Sequence, residues 1–220
     1  MGDDGSAELA TVHSEIMTCT KCELHTSRKN AVPGEGPVDA KIMFVGEGPG
    51  LNEDEQGRPF VGAAGKLLTE LLESIELSRA EVFITNIVKC RPPSNRAPRR
   101  SEIDACNQYL KSQIRLINPR IVCALGTPAI TTLLGDEYSA TKAHGKPVPR
   151  DNITILPMYH PAAALYDASL KEVLASDFRI LKGLLTDTAT HHNPIVKDEP
   201  ETGRETLEKW SSMKRQCIDW

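Results

Sequence analysis

Four of the chain's six cysteines are spaced as ligands are. Cys19 and Cys22 form a C-x2-C turn. Cys90 and Cys106 close the ends of CRPPSNRAPRRSEIDAC, a basic, proline-rich stretch with almost no apolar side chains. A C-x2-C turn brings two sulfurs to one centre, and four thiolates complete either a zinc site or a 4Fe–4S core. Spacing alone does not choose. Structural zinc ordinarily uses two short knuckles, and the second pair here is not one. A long loop fixed at both ends suits the larger core slightly better. Cys123 falls inside an apolar run and is expected in the core. Cys217, close to the C-terminus, is expected to be a free thiol without a role.

The bulk properties bound what such a centre could serve. A chain of 220 residues with a net charge of −4 is long enough for one sizeable α/β domain. The charge argues against binding nucleic acid over the whole surface. Lys89–Arg100 is nonetheless a local basic patch, with five basic residues and no acid. No apolar run approaches the ~18 residues of a membrane helix. The start, MGDDGSAELA, is acidic and has no signal-peptide pattern. An intracellular location is expected, where cysteines are ligands or buried residues rather than disulfides.

These residues need elements to hold them. KIMFV (Lys41–Val45), VFITNI (Val82–Ile87), RIVCAL (Arg120–Leu125) and ITILPM (Ile153–Met158) read as strands. Helical patterns lie at Glu8–Cys22, Gly65–Ile75, Ser101–Ile117 (with Ser101 as N-cap), Thr127–Leu134 and Ala168–Leu185. Strands alternating with helices imply a parallel sheet covered on both faces. Ligands of such sheets bind beyond the carboxyl ends of the strands. That rule selects GEGPG, NIVKCRPP, GTPA and YHPAAAL. Residues 1–7 are expected to be a flexible N-terminus, 8–185 the single domain, and 186–220 a polar, mostly disordered tail.

GEGPG (Gly46–Gly50), GRPFVGAAGKLL (Gly57–Leu68), TNIVKCRPPSNR (Thr85–Arg96) and YHPAAAL (Tyr159–Leu165) occur in that order beside the four cysteines. Together they resemble the family 4, iron–sulfur uracil-DNA glycosylases of archaea and bacteria, over about Glu8 to Leu185. The resemblance implies a three-layer α/β/α sandwich around a four-stranded parallel sheet. It also implies a 4Fe–4S cluster on Cys19, Cys22, Cys90 and Cys106. The implied activity is DNA repair: a uracil nucleotide is flipped out and its N-glycosidic bond hydrolysed, leaving an abasic site.

The residue roles follow from the same resemblance and from the chemistry of each group. Glu47 positions the attacking water and offsets the cationic sugar. Gly48 replaces the alanine more usual there, in a place where other glycosylases carry a catalytic aspartate, so no strong base is evident. Glu53 fills the space beside uracil C5 and excludes the thymine methyl. Phe60 stacks on the base, which is worth roughly 1–3 kcal/mol. The Asn86 carboxamide pairs with uracil O4 and N3–H, and cytosine would leave it unpaired. His160 donates a hydrogen bond to O2 as charge develops there. Lys89, Arg91, Arg96, Arg99 and Arg100 contact phosphates; Pro161 and Leu165 reach the DNA, with Leu165 entering the gap left by the base. His144, His191 and His192 have no such context and are expected to be solvated.

Three alternatives stand beside this. A sister class forms a covalent adduct with the abasic site, but its basic insertion ends in a histidine that CRPPSNRAPRRSE lacks. A non-catalytic iron–sulfur DNA-binding module would not need Glu47, Phe60, Asn86 and His160 together. A glycosylase of broader range, acting on hypoxanthine or xanthine, is left open by Gly48. The expected partner is uracil-containing DNA, double- or single-stranded. The protein is expected to be a monomer, cytoplasmic and nucleoid-associated, with the tail as the place for a replication or repair partner.

Overall fold

Alternate side chains of a strand point to opposite faces, and here both faces are apolar. Ile42 and Phe44 enter one core while Met43 and Val45 enter the other. A sheet buried on both sides must be covered on both sides. The strands are β1 (Ile42–Gly46), β2 (Phe83–Asn86), β3 (Ile121–Leu125), β4 (Val148–Arg150) and β5 (Ile153–Met158), in the order β2-β1-β3-β5-β4. The helices are α1 (Gly2–Thr18), α2 (Leu51–Gln56), α3 (Ala63–Ser74), α4 (Arg100–Ile117), α5 (Thr127–Leu134), α6 (Ala140–Ala143), α7 (Ala163–Tyr166) and α8 (Ser169–Asp187). This computed structural model describes residues 2–187. The expected tail from residue 188 onward, with His191, His192 and Cys217, lies outside the described residues.

One face of the sheet packs against Leu68, Leu71 and Leu72 of α3 and Leu174, Phe178 and Leu181 of α8. The other packs against Leu110 and Ile117 of α4, Ala129 and Ile130 of α5, and Leu9 of α1. This is the expected three-layer sandwich, and Cys123 is in its core. The sheet has five strands rather than four. The additional one, β4, is a short antiparallel edge paired with β5 across a turn where Asp151 has a positive φ of 47°. Pro149 lies on it, and a residue that cannot donate to a ladder is tolerated at an edge. Three residues with a central proline carry no strand signal in the sequence.

Helix boundaries also moved. α1 starts at Gly2 rather than Glu8, so residues 2–7 of the stretch expected to be a flexible N-terminus belong to the helix. It ends before Cys19 instead of including the C-x2-C turn. α4 takes Arg99 as its N-cap residue, not Ser101, because the Glu102 carboxylate accepts the Arg99 N–H at 2.7 Å. The same carboxylate, 3% exposed, accepts both terminal N–H groups of Arg96 at 2.6 and 2.9 Å. A two-pronged pair of this kind fixes orientation as well as distance. It closes the proline-rich loop onto the first turn of α4, in place of the apolar packing that loop lacks.

The Arg96 guanidinium holds the Glu102 carboxyl below its ordinary 4.5, helped by the Arg99 N–H. A lowered folded-state pKa contributes stability above the unfolded value and loses it as pH falls through the folded one. Glu102→Gln should therefore lower the melting temperature at pH 7. The difference from the native chain should shrink below about pH 4.5 and close as acid titrates the folded carboxyl. Parallel melting curves over that range check it.

Candidate active site and cysteine cluster

The parallel order puts the carboxyl ends of β1, β2 and β5 on one edge. Gly46 pairs with Asn86 across β1 and β2, and Leu125 with Met158 across β3 and β5. The segments leaving those ends enclose a cleft of about 280 Å³ lined by Glu47, Gly48, Glu53, Phe60, Asn86 and His160. All six residues expected to hold a base thus lie in one place. That volume is at the low end for small-ligand sites, roughly 300–1,000 Å³.

Gly46 sets the floor. A Cβ there would stand 2.5 Å from Asn86 Oδ1 and 2.7 Å from the Phe60 ring, both impossible contacts. At Gly48 a Cβ would come within 2.9 Å of Val88 Cγ2. The Asn86 carboxamide is buried, and its Oδ1 has no hydrogen-bond partner within the protein. A buried unpaired acceptor costs about 1–3 kcal/mol. It is therefore a place where a ligand donor would be strongly preferred.

Phe60 has φ +53°, a conformation that bulky residues avoid. Two charged side chains hold it. Glu53 accepts the backbone N–H groups of Val61 and Gly62, both at 2.9 Å, and that of Gly50 at 3.1 Å. From the other side Arg79 donates to the Phe60 carbonyl at 3.0 Å and to that of Pro59. Glu53 lines the cleft as expected, but two of its three bonds clamp the Phe60 loop and the third, from Gly50, caps α2. Arg79 is a site residue that sequence reasoning missed. It precedes a strand with no motif around it, so nothing local marked it.

The His160 ring stacks on Phe60 with centroids 5.5 Å apart. The Ala162 N–H donates to its Nδ1 at 3.1 Å, so Nδ1 is an acceptor and the proton of the neutral ring sits on Nε2. Desolvation of the half-buried ring in the wall of the cleft lowers its pKa to about 4, against a smaller opposing pull from Glu53. The ring is therefore neutral at physiological pH and presents one N–H. Burial raises the Glu47 carboxyl above its ordinary value.

Several expectations for DNA contacts do not survive. Lys89 is 1% exposed and reaches no phosphate; its ammonium is turned inward. Pro161 is buried. Arg91, Arg96, Arg99 and Arg100 remain near the surface, and Arg96 lines the cleft. Arg99 pairs with Glu23, and Arg100 with Asp104 and Asp136. Leu165 is 46% exposed on α7, beside a still more exposed Tyr166. His144 keeps a third of its side chain exposed but is not without context: its Nδ1 lies 3.2 Å from the buried Asp177 carboxylate, and its ring meets Tyr159. Asn95, another cleft residue not foreseen, has φ +55° in the turn after Pro93. Its place in PPSNR was the available signal, since asparagine tolerates that conformation.

Cys19, Cys22, Cys90 and Cys106 line a second, smaller cavity with Ile16, His25, Arg28 and Tyr109. All four thiols are free. The Arg28 guanidinium donates to Cys90 Sγ at 3.1 Å, the Lys89 N–H to Cys106 Sγ at 3.3 Å and the Lys21 N–H to Cys19 Sγ at 3.5 Å. Among the described residues no three or more His, Cys, Asp or Glu side chains are grouped as ligands of one metal ion.

A family model for the Uracil DNA glycosylase superfamily matches residues 33–179. The Type-4 uracil-DNA glycosylase of Sulfurisphaera tokodaii is 50% identical over 185 residues, covering 80% of this chain and 84% of that protein. Those of Saccharolobus solfataricus and Archaeoglobus fulgidus are 48% and 46% identical, covering 86% and 75% of this chain and 90% and 87% of theirs. With the cleft at the strand ends and similarity of this extent, the chain belongs to the type-4 uracil-DNA glycosylases of the uracil DNA glycosylase superfamily.

Proposed function

We propose that the cleft at the strand ends is where this glycosylase holds and releases uracil. Asn86, Phe60 and His160 form the base pocket, Glu47 acts at the sugar, and Glu53 and Gly48 shape the wall. The enzyme is a hydrolase of N-glycosyl bonds in DNA repair. The observation that carries the assignment is the unpaired, buried Oδ1 of Asn86, a residue that lines a cleft of single-base size. Uracil N3–H supplies the missing donor; cytosine has an acceptor at that position and would leave two acceptors face to face.

Four tasks make up the reaction. The nucleotide leaves the stack, its base edge is read, negative charge on the departing uracil is stabilised, and water adds to the sugar carbon. Phe60, fixed by Glu53 and Arg79, offers a rigid aromatic wall. The neutral His160 donates its Nε2–H to O2 as the C–N bond breaks and uracil leaves as an anion. A neutral donor loses no catalytic charge when pH rises. Glu47, its carboxyl made more basic by burial, takes the proton of the attacking water. Outside the cleft, Arg91, Arg99 and Arg100 bind phosphates, and Leu165 enters the gap in the stack. We assign the protein to the cytoplasm as a monomer, with partners of its own recruited through the C-terminal segment.

The cysteine cavity is assigned to a 4Fe–4S cluster on Cys19, Cys22, Cys90 and Cys106. The residues fit it. Four thiols share one cavity without the tight convergence of a single-ion site, and three N–H donors already point at sulfur, as they do around thiolate-bound clusters. The cluster would act there as a cross-link between the turn after α1, the proline-rich loop and α4.

Asn86→Ala and His160→Ala should each slow single-turnover uracil excision by about 100-fold or more, the size of losing one charge-stabilising donor, with DNA binding retained. Native-like rates in either would remove that residue from the mechanism. The His160 imidazole should stay neutral, with the proton on Nε2, from pH 8 down to pH 5 in nitrogen-15 spectra, and titrate only towards pH 4. A midpoint near 6.5 would contradict the desolvated, Nδ1-accepting ring. Anaerobically purified protein should hold about four irons per chain and absorb broadly in the visible, and Cys106→Ser should lose both. Stoichiometric zinc without visible absorption would overturn the cluster.

A further inference from the structure

A buried cation with no role in the chemistry above stands directly behind the base pocket. Lys89, 1% exposed, turns back along its own chain, and its Nζ donates to Thr85 Oγ1 at 2.6 Å, the Asn86 carbonyl at 2.7 Å and Gln113 Oε1 at 2.7 Å. An ammonium has three donors, and these three acceptors use all of them. The acceptors are themselves fixed. Thr85 Oγ1 and Gln113 Nε2 both donate to the Pro33 carbonyl, at 2.9 and 2.7 Å. Neither acceptor side chain is free to swing away.

The Asn86 carbonyl is at a sensitive place. Asn86 is the last residue of β2, and the peptide group that follows it is held on its N–H side, where Ile87 donates to the Gly46 carbonyl at 2.9 Å. The direction of its side chain depends on the plane of its own peptide groups. Lys89 pins that carbonyl from three residues on. Its main chain also fastens the other end of the same short segment, with its N–H on Cys106 Sγ and its carbonyl accepting the Val32 N–H at 2.7 Å.

We infer that Lys89 is a positioning residue for Asn86: its ammonium, clamped between Thr85, Gln113 and the Asn86 carbonyl, aims the carboxamide that reads uracil. The inference rests on the assignment of Asn86 to the base edge. A misplacement on the order of 1 Å in such a group costs about 100-fold in rate, so the clamp has a measurable consequence without touching substrate.

The test is a double-mutant cycle on the full-length, cluster-loaded chain, with single-turnover excision and equilibrium binding of one uracil-containing duplex as the two readouts. Lys89→Met keeps the length and removes the donors. It should slow excision about 10- to 100-fold while the affinity for the duplex and its salt dependence stay as in the native chain. In an Asn86→Ala background it should produce no further slowing, because its effect passes through Asn86. A generally structural lysine would slow both backgrounds alike, and that result, or an unslowed Lys89→Met, would overturn the inference. So would weaker, less salt-dependent binding at an unchanged rate, which would make Lys89 a phosphate contact. Should Lys89→Met not fold, Thr85→Val leaves the lysine and removes one of its acceptors; it should slow excision less and show the same dependence on Asn86. If Asn86→Ala alone excises uracil at the native rate, the fault lies with the reading of Asn86 rather than with the clamp.

Discussion

A side chain at residue 46 has nowhere to go, and most of the cleft depends on that. β1 ends at Gly46 with the Asn86 carboxamide on one side and the Phe60 ring on the other, both closer than a Cβ permits. The two groups proposed to read and to cover the base are therefore held apart by a backbone and nothing more. This explains why Phe60 tolerates a left-handed backbone that costs on the order of 1–3 kcal/mol. Glu53 and Arg79 offset the strain by binding the peptide groups on either side of it. Helix α3 starts immediately afterwards, so the loop has no length over which to relax.

Two buried polar groups sit next to each other at the end of β2 and are treated oppositely. Lys89 has every donor satisfied, whereas the Asn86 Oδ1 has none of its capacity used. A protein interior ordinarily satisfies both. Leaving the amide unsatisfied while spending three acceptors on the neighbouring ammonium is consistent with a pocket prepared for a donor that arrives with the ligand. Rigidity behind the amide matters more when its front is empty, because no partner within the protein holds it in place.

Much of this was legible in the sequence, for physical reasons that can be named. The four parallel strands were visible because strands buried on both faces are continuous apolar runs. The cleft was visible because parallel strands end together and the segments after them were rich in glycine, proline, asparagine and histidine. What escaped was set by tertiary contact. Strand β4 has only the sheet edge to define it. Arg79 acts on a loop nineteen residues away from it along the chain. Lys89 looked like part of a basic surface because its neighbours Arg91 and Arg96 are, and no local pattern distinguishes an outward lysine from one turned inward onto its own strand. Pro161 was taken for surface on the strength of its motif, although the motif records only that the backbone must turn there. His144 looked solvated because its partner, Asp177, lies 33 residues further on.

The loss of Lys89 from the surface narrows how a chain of net charge −4 meets DNA. Three of the four remaining arginines, Arg96, Arg99 and Arg100, are paired with carboxylates. Arg99 and Arg100 hold exposed carboxylates at Glu23 and Asp104, with side chains 59–83% exposed across the two pairs. Exposed ion pairs of this kind contribute about 0–1 kcal/mol, so a phosphate can replace the carboxylate at little cost. Arg96 differs, because its partner Glu102 is buried and also caps α4. Transferring that guanidinium to a phosphate would strand a buried carboxylate. Under the proposed function, electrostatic attraction to DNA would fall to Arg91, Arg99 and Arg100, while Arg96 keeps the loop that carries them closed on α4. Fewer charges available for phosphates mean a shallower dependence on salt than a count of basic residues in the stretch would give, since each contact contributes about −0.9 to the logarithmic slope. On that proposal the basic loop divides its arginines between holding itself together and holding its substrate.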